Sequence, residues 1–151
     1  MPDMNNSLIL MCGAPACGKS TFSKDLATKT GAIRLSSDEL RGIIGSSESD
    51  QTVTDKVFRC MQATSKHLLA QGHSVIIDAT NASVKGRKIF LEHAKELGVR
   101  TVAYVFQVSL QVLKERNAQR ERKVPEDVIN RYHGTILFPL VGEVDEVIFV
   151  K

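Results

Sequence analysis

Tryptophan is absent from this 151-residue chain, and aromatic residues make up only 5% of it. Any platform for stacking flat rings therefore has only Tyr104, Phe106, Tyr132, Phe138 or another phenylalanine to lean on. Of these, Phe106, like Phe149, falls in an apolar strand-like run, where packing is the expected role. The three cysteines, Cys12, Cys17 and Cys60, lack metal-ligand spacing, and an odd count without a secretory leader gives no disulfide framework. Free thiols are expected. Long apolar runs are missing too: Leu8 to Cys12, even read on through Gly13 to Cys17, falls far short of the roughly 20 residues that span a bilayer. No membrane segment is expected. The opening Met1–Ser7 is polar, without the basic and apolar regions of a secretory signal, so the cytoplasm is the expected compartment. Charge of one sign is scarce, with 20 Lys and Arg against 17 Asp and Glu and a net +3. That surplus does not mark a nucleic-acid binder, and it does not repel an anionic ligand.

What remains is a 42% apolar chain without repeats or low-complexity segments, read as one domain over 1–151. Folding at this length removes roughly two thirds of the unfolded chain's surface from water, enough for a core without staples. Short apolar runs alternate with longer periodic ones. Strands are predicted at Ser7–Cys12, Ala32–Leu35, Val75–Asp78, Val99–Val108 and Glu146–Val150. Helices are predicted at Lys19–Lys29, from Ser36 with a capping box to Glu39, around Val57–Leu69, and over Val84–Leu97 and Leu110–Gln119. A further helix opens with Pro125 in its first position, and Gly45–Thr54 reads as a polar loop. Strands alternating with helices imply a largely parallel sheet of about five strands, covered on both faces.

The segment Gly13-Ala14-Pro15-Ala16-Cys17-Gly18-Lys19-Ser20 matches G-x-x-x-x-G-K-[ST] between a predicted strand and a predicted helix, with Thr21 following. Glycines let backbone N–H groups curl around phosphate oxygens, and the helix N-terminus adds partial positive charge. Lys19 is placed to neutralise β and γ phosphates, and Ser20 to ligate Mg²⁺. ATP and Mg²⁺ are the expected ligands, and the fold expected is an α/β P-loop NTPase-type three-layer αβα sandwich.

Asp38 follows the second strand directly. In a parallel sheet, ligands bind outside the carboxyl ends of the strands. A carboxylate there can take a hydroxyl proton during phosphoryl transfer, with Arg41 one turn on to pair with an anionic acceptor. Asp78 ends the strand Val75–Ile77 and could hold Mg²⁺ through water or fix the P-loop. The run Lys114–Lys123 carries five basic residues, and Arg116 and Arg120, spaced i,i+4, are expected on one helix face. The short loop before Pro125 suits a hinged lid over about 116–124. Cys17, beside Lys19 at a helix N-terminus, is either a reactive thiol that blocks the nucleotide site when modified or simply a small residue filling a slot.

The order GAPACGKST, SSDELR, DATN, RNAQRERKVPEDVINRYH, spread from about Leu8 to His133, resembles the kinase domain of polynucleotide 5′-hydroxyl kinases, a branch of the P-loop kinases. The resemblance implies ATP and Mg²⁺ bound through Lys19 and Ser20. It implies Asp38 as general base, Arg41 supporting the acceptor phosphate, and Arg116 and Arg120 stabilising the transition state; Arg122 lies beyond the matched pair and is a candidate third lid arginine. The acceptor it implies is the 5′-OH end of DNA or RNA. No D-x-D-x-T phosphatase signature accompanies it, so a kinase without the end-healing phosphatase is expected. Two other readings stand beside this one. One is a small-molecule kinase for a sugar, nucleoside or drug alcohol, and the other is a non-catalytic nucleotide-binding module.

Overall fold

A computed structural model of the chain describes residues 5–150; the readings placed on Met1–Met4 and Lys151 lie outside them. The strands are β1 (Ser7–Cys12), β2 (Ile33–Ser36), β3 (Val75–Asp78), β4 (Arg100–Val105) and β5 (Glu146–Phe149). The helices are α1 (Lys19–Thr30), α2 (Ser37–Ile44), α3 (Thr54–Ala70), α4 (Val84–Glu96), α5 (Leu110–Ala118) and α6 (Glu126–Thr135). All strand pairs are parallel, in the order β2-β3-β1-β4-β5.

β1 is the central strand, and every one of its residues is buried. Its side chains alternate between the two faces. Leu8, Leu10 and Cys12 pack with Val57, Met61 and Leu69 of α3 and Phe90 and Ala94 of α4. Ile9 and Met11 pack with Leu26 of α1, Leu113 of α5 and Ile129 of α6. The expected three layers are therefore present, and the C-terminal ends of β1, β2 and β3 open on one rim.

Several boundaries differ from the sequence reading. The strand expected over Val99–Val108 stops at Val105; Phe106 N–H still donates to Cys12 O at 2.9 Å, and Ser109 then caps α5 by accepting from Val112 N–H at 3.3 Å. Pro125 is the cap of α6, with extended ψ of 138°, rather than its first helical residue. Ser36 Oγ accepts from Glu39 N–H at 3.2 Å as the capping box requires. Glu39 does not reach back, because Arg34 Nη1 donates to its carboxylate at 2.9 Å. The loop expected over Gly45–Thr54 contains a 3₁₀ turn at Gln51–Val53, and α3 begins at Thr54.

One buried charge holds the rim together. Arg87 of α4 is fully buried and grips Glu143 with two hydrogen bonds, Nε at 2.6 Å and Nη2 at 3.0 Å. Its Nη1 donates to the carbonyls of Asn81 and Leu137, each at 2.6 Å. Asn81 in turn donates to Met11 O at 2.6 Å, and Gly13 N–H donates to Thr80 O at 3.0 Å. The turn after β3 is thus a brace between α4, the 137–143 segment and the end of β1.

Candidate active site

The end of β1 delivers the chain into the turn Gly13–Gly18, and its geometry explains each glycine separately. Gly18 takes a φ of 102° as the cap of α1, a conformation that favours glycine. Gly13 serves by lacking a side chain: a Cβ there would lie 2.6 Å from Cys17 Sγ and 2.9 Å from Phe106 Cβ. Ala16 also has positive φ, 71°, at a cost of about 1 to 2 kcal/mol for a residue with a Cβ. Strain of this kind at a ligand cradle is a common mark of pre-organisation. Gly13→Ala should therefore cost about 1–3 kcal/mol through overpacking and weaken nucleotide binding in parallel. Thermal melts with and without Mg·ATP check both effects.

Ala14 and Cys17 are buried, Pro15 and Ala16 are half-buried, and Ser20 and Thr21 stand exposed on the first turn of α1. That turn carries no acidic residue, so the positive end of the helix is uncompensated. Lys19 Nζ reaches across the loop to Ala14 O at 3.1 Å and to Cys17 Sγ at 3.8 Å. Cys17 is 2% exposed, so its thiol faces Gly13 rather than reagent, as a small residue filling a slot would. Cys12 is as deeply buried, and burial pushes its thiol up to about 12. A thiol buried and raised as that of Cys12 is inert.

Asp38 and Arg41 share one face of α2, and Arg41 Nη1 donates to Asp38 Oδ1 at 2.8 Å. Arg41 is nearly enclosed, and its Nε–H is buried without a hydrogen-bond partner among the described residues. The second carboxylate oxygen of Asp38 accepts from Arg122 Nη2 at 3.0 Å. Asp78, 4% exposed, uses Oδ2 to accept from Arg34 Nη2 at 2.6 Å, Arg34 Nε at 3.1 Å and Ser23 Oγ at 2.9 Å. Arg34 was not anticipated from the sequence. Its setting in the short apolar strand IRLS was the available signal, since a cation there needs a buried partner.

The arginine run is arranged differently from the expectation. α5 ends at Ala118, with Gln119 as its cap, so Arg116 and Arg120 do not share a helix face. Arg116 docks on the P-loop, donating from Nη1 to Cys17 O at 2.6 Å. Arg120 lies in the loop beyond. Asn117 clasps the base of that loop, donating Nδ2 to Val124 O at 2.7 Å and accepting Val124 N–H at 2.8 Å. The clasp closes Gln119–Lys123 into a short loop between α5 and α6.

A cleft of about 260 Å³ opens beside the P-loop, lined by Ala14, Phe106, Gln107, Leu113, His133 and Phe138 among others. Two of the rings singled out from the sequence line it. Tyr104 instead packs on Phe22 with ring centroids 5.1 Å apart, and Tyr132 lies under Arg131. Among the described residues no cluster of His, Cys, Asp or Glu could hold a metal, and no helix is long and apolar enough to cross a membrane.

The chain is 29% identical over 135 residues to L-seryl-tRNA(Sec) kinase of Methanococcus maripaludis, covering 83% of this chain and 51% of that protein. It is 25% identical over 144 residues to the bifunctional polynucleotide phosphatase/kinase of Schizosaccharomyces pombe, covering 92% and 32%. The chain thus spans half the length of these relatives or less. In fold it is similar to a chain of the Pnkp1/Rnl/Hen1 RNA repair complex, with a TM-score of 0.74, 24% identity and coverage of 89% and 45%. It is also similar to a gluconokinase from Sinorhizobium meliloti, with a TM-score of 0.67, 19% identity and coverage of 96% and 82%. A model of the family described as AAA domain matches residues 8–139. With its glycine turn between β1 and α1 at the rim of a parallel sheet, the chain belongs to that AAA domain family and has a P-loop kinase fold.

Proposed function

We propose that the protein transfers the γ-phosphate of ATP to a hydroxyl acceptor, and that the acceptor is the 5′-OH end of a DNA or RNA strand. The backbone of 13–18, the N-terminus of α1 and Lys19 hold the phosphate chain. Asp38 accepts the proton of the attacking hydroxyl. Arg116, on the P-loop carbonyl, and Arg120, in the lid, offset charge that spreads over the transferring group.

Mg²⁺, when bound, neutralises charge on the phosphate oxygens. The donor set fits it at Ser20, whose exposed hydroxyl makes no hydrogen bond among the described residues. Asp78 fits it less well as a direct ligand, because Oδ2 is committed to Arg34 and Ser23. We assign Asp78 a role close to the P-loop-fixing one, bracing α1, the helix that the P-loop opens, against β2 and β3.

One observation favours an anionic acceptor over a neutral one: the buried, unpartnered Nε–H of Arg41 beside the candidate base. A donor kept from water costs free energy unless a ligand satisfies it, and an oligonucleotide brings phosphates next to its terminal hydroxyl. Its affinity should then fall with salt, log K dropping about 0.7 per neutralised phosphate for each tenfold rise. Contacts to two or three phosphates give a slope of about −1.4 to −2.1. Titrating a hydroxyl-ended oligonucleotide across a salt series at fixed ATP and Mg²⁺ measures it, and Arg41→Ala should flatten the slope. A salt-independent affinity, or transfer to a small neutral alcohol alone, would transfer the reading to a small-molecule kinase.

A further inference from the structure

Both oxygens of Asp38 are taken by arginines, yet the two arginines hold it in different ways. Arg41 is three residues on in the same helix, and its pairing is local. Arg122 comes from the lid, 84 residues away in the chain. Around Asp38, Arg122 also bonds Ser49 Oγ at 3.5 Å and lies 3.9 Å from Glu48. These partners sit on a prebuilt loop. Asp50 accepts from the Thr52 hydroxyl at 2.5 Å, Ser46 N–H at 2.9 Å and Thr52 N–H at 3.0 Å, and these bonds, the hydroxyl's first, hold its carboxyl down at about 2. Gly45 leaves no room for a side chain, since a Cβ would lie 2.5 Å from Asp50 Oδ2.

The lid is therefore fixed at two points. Its base is the Asn117–Val124 clasp, and its tip is Arg122 on Asp38, Glu48 and Ser49. The tip contacts are half-exposed, with Arg122 at 36% and Asp38 at 41%, so water and ligands can compete for them. The base clasp is buried at Asn117 and stays.

We propose that Arg122 is an acceptor-selecting latch: it closes the lid on Asp38 and yields to acceptors that bring an anionic group beside their hydroxyl. This rests on the phosphotransferase reading above. A hydroxyl that is to give its proton to Asp38 must approach a carboxylate flanked on each oxygen by a guanidinium, and Arg122, held by half-exposed contacts on the loop beyond α5, is the one placed to swing aside while Arg41 stays on α2. A phosphate next to that hydroxyl offers Arg122 a replacement partner that its planar fork can grip through two oxygens. A neutral alcohol offers none, so it binds only the fraction of protein whose latch is already open.

Two measurements test the latch. In the substrate-free protein, backbone order parameters of Arg120–Lys123 are expected near the rigid value of about 0.85 and should fall below about 0.6 in Arg122→Ala, with Val124 rigid in both. Equal order parameters in the two proteins would overturn the latch. The second is kcat/KM for a hydroxyl-ended oligonucleotide against that for an unphosphorylated nucleoside. Arg122→Ala should lower this ratio about fivefold, the scale that half-exposed pairs supply, through a lower KM for the nucleoside, and Arg122→Lys should restore most of it. A freed lid with an unchanged ratio would refute the selecting role. If the wild-type protein phosphorylates no oligonucleotide, the acceptor reading fails, while the order parameters still decide the latch.

Discussion

Asp38→Asn should leave ATP affinity intact and lower turnover by about 10²–10⁴-fold, the range lost when a positioned general base is removed. The amide keeps the shape of the carboxylate and can still accept from Arg41 Nη1, now 2.8 Å away, so α2 should fold as before. What disappears is the ability to take the proton of the attacking hydroxyl, together with the second acceptor oxygen that holds Arg122. Lys19→Ala should differ in kind, because Lys19 belongs to the phosphate cradle and its loss should weaken ATP binding and turnover together. Single-turnover kinetics beside equilibrium ATP titration separate the two patterns. Near-normal transfer by Asp38→Asn would remove Asp38 from the chemistry.

The largest effect on stability is expected at the buried brace. Removing one partner of a buried ion pair costs about 3–5 kcal/mol, because the survivor keeps its charge without compensation. Arg87→Met takes the donor from the carbonyls of Asn81 and Leu137 and the counter-charge from a Glu143 that is 23% exposed, and Glu143→Gln leaves a fully buried guanidinium without its counter-charge. Domains are stable by about 5–15 kcal/mol, so either change consumes roughly a fifth or more of the margin. Urea unfolding reads the loss. The turn that Arg87 holds also backs Gly13, so nucleotide affinity should decline in Arg87→Met before the protein unfolds. A loss below about 1 kcal/mol in both variants would contradict the brace, since that is the scale of exposed pairs.

These two regions differ in how far the sequence discloses them. β1, the glycine turn and the start of α1 were legible because their signals are local: a run of buried aliphatics, two glycines with separate reasons, and a lysine at the helix opening. The position of Asp38 followed from the rim rule for parallel sheets, and Ser36 marked the helix that carries it. The arginine pairings were not legible. Arg34 meets Asp78 across 44 residues, Arg87 meets Glu143 across 56, and Arg122 meets Asp38 across 84. No periodicity within a helix or strand encodes such partners, and the charge run Lys114–Lys123, though it suggests lid arginines, does not disclose which acid the fold brings to it. The end of α5 at Ala118 was legible to within one residue of the predicted Gln119, whereas the Asn117 clasp beyond it was hidden for the same reason, because it depends on Val124 returning beside it.

The central claim is that this P-loop fold moves phosphate onto a nucleic-acid 5′-hydroxyl. Its most direct measurement is incubation with ATP labelled at the γ-phosphate, Mg²⁺ and hydroxyl-ended DNA and RNA oligonucleotides, beside sugars and free nucleosides. The account predicts label on the 5′ end of an oligonucleotide, lost in Asp38→Asn and absent when that end is already phosphorylated. Label appearing only on a sugar or nucleoside, or only as free phosphate, would contradict it.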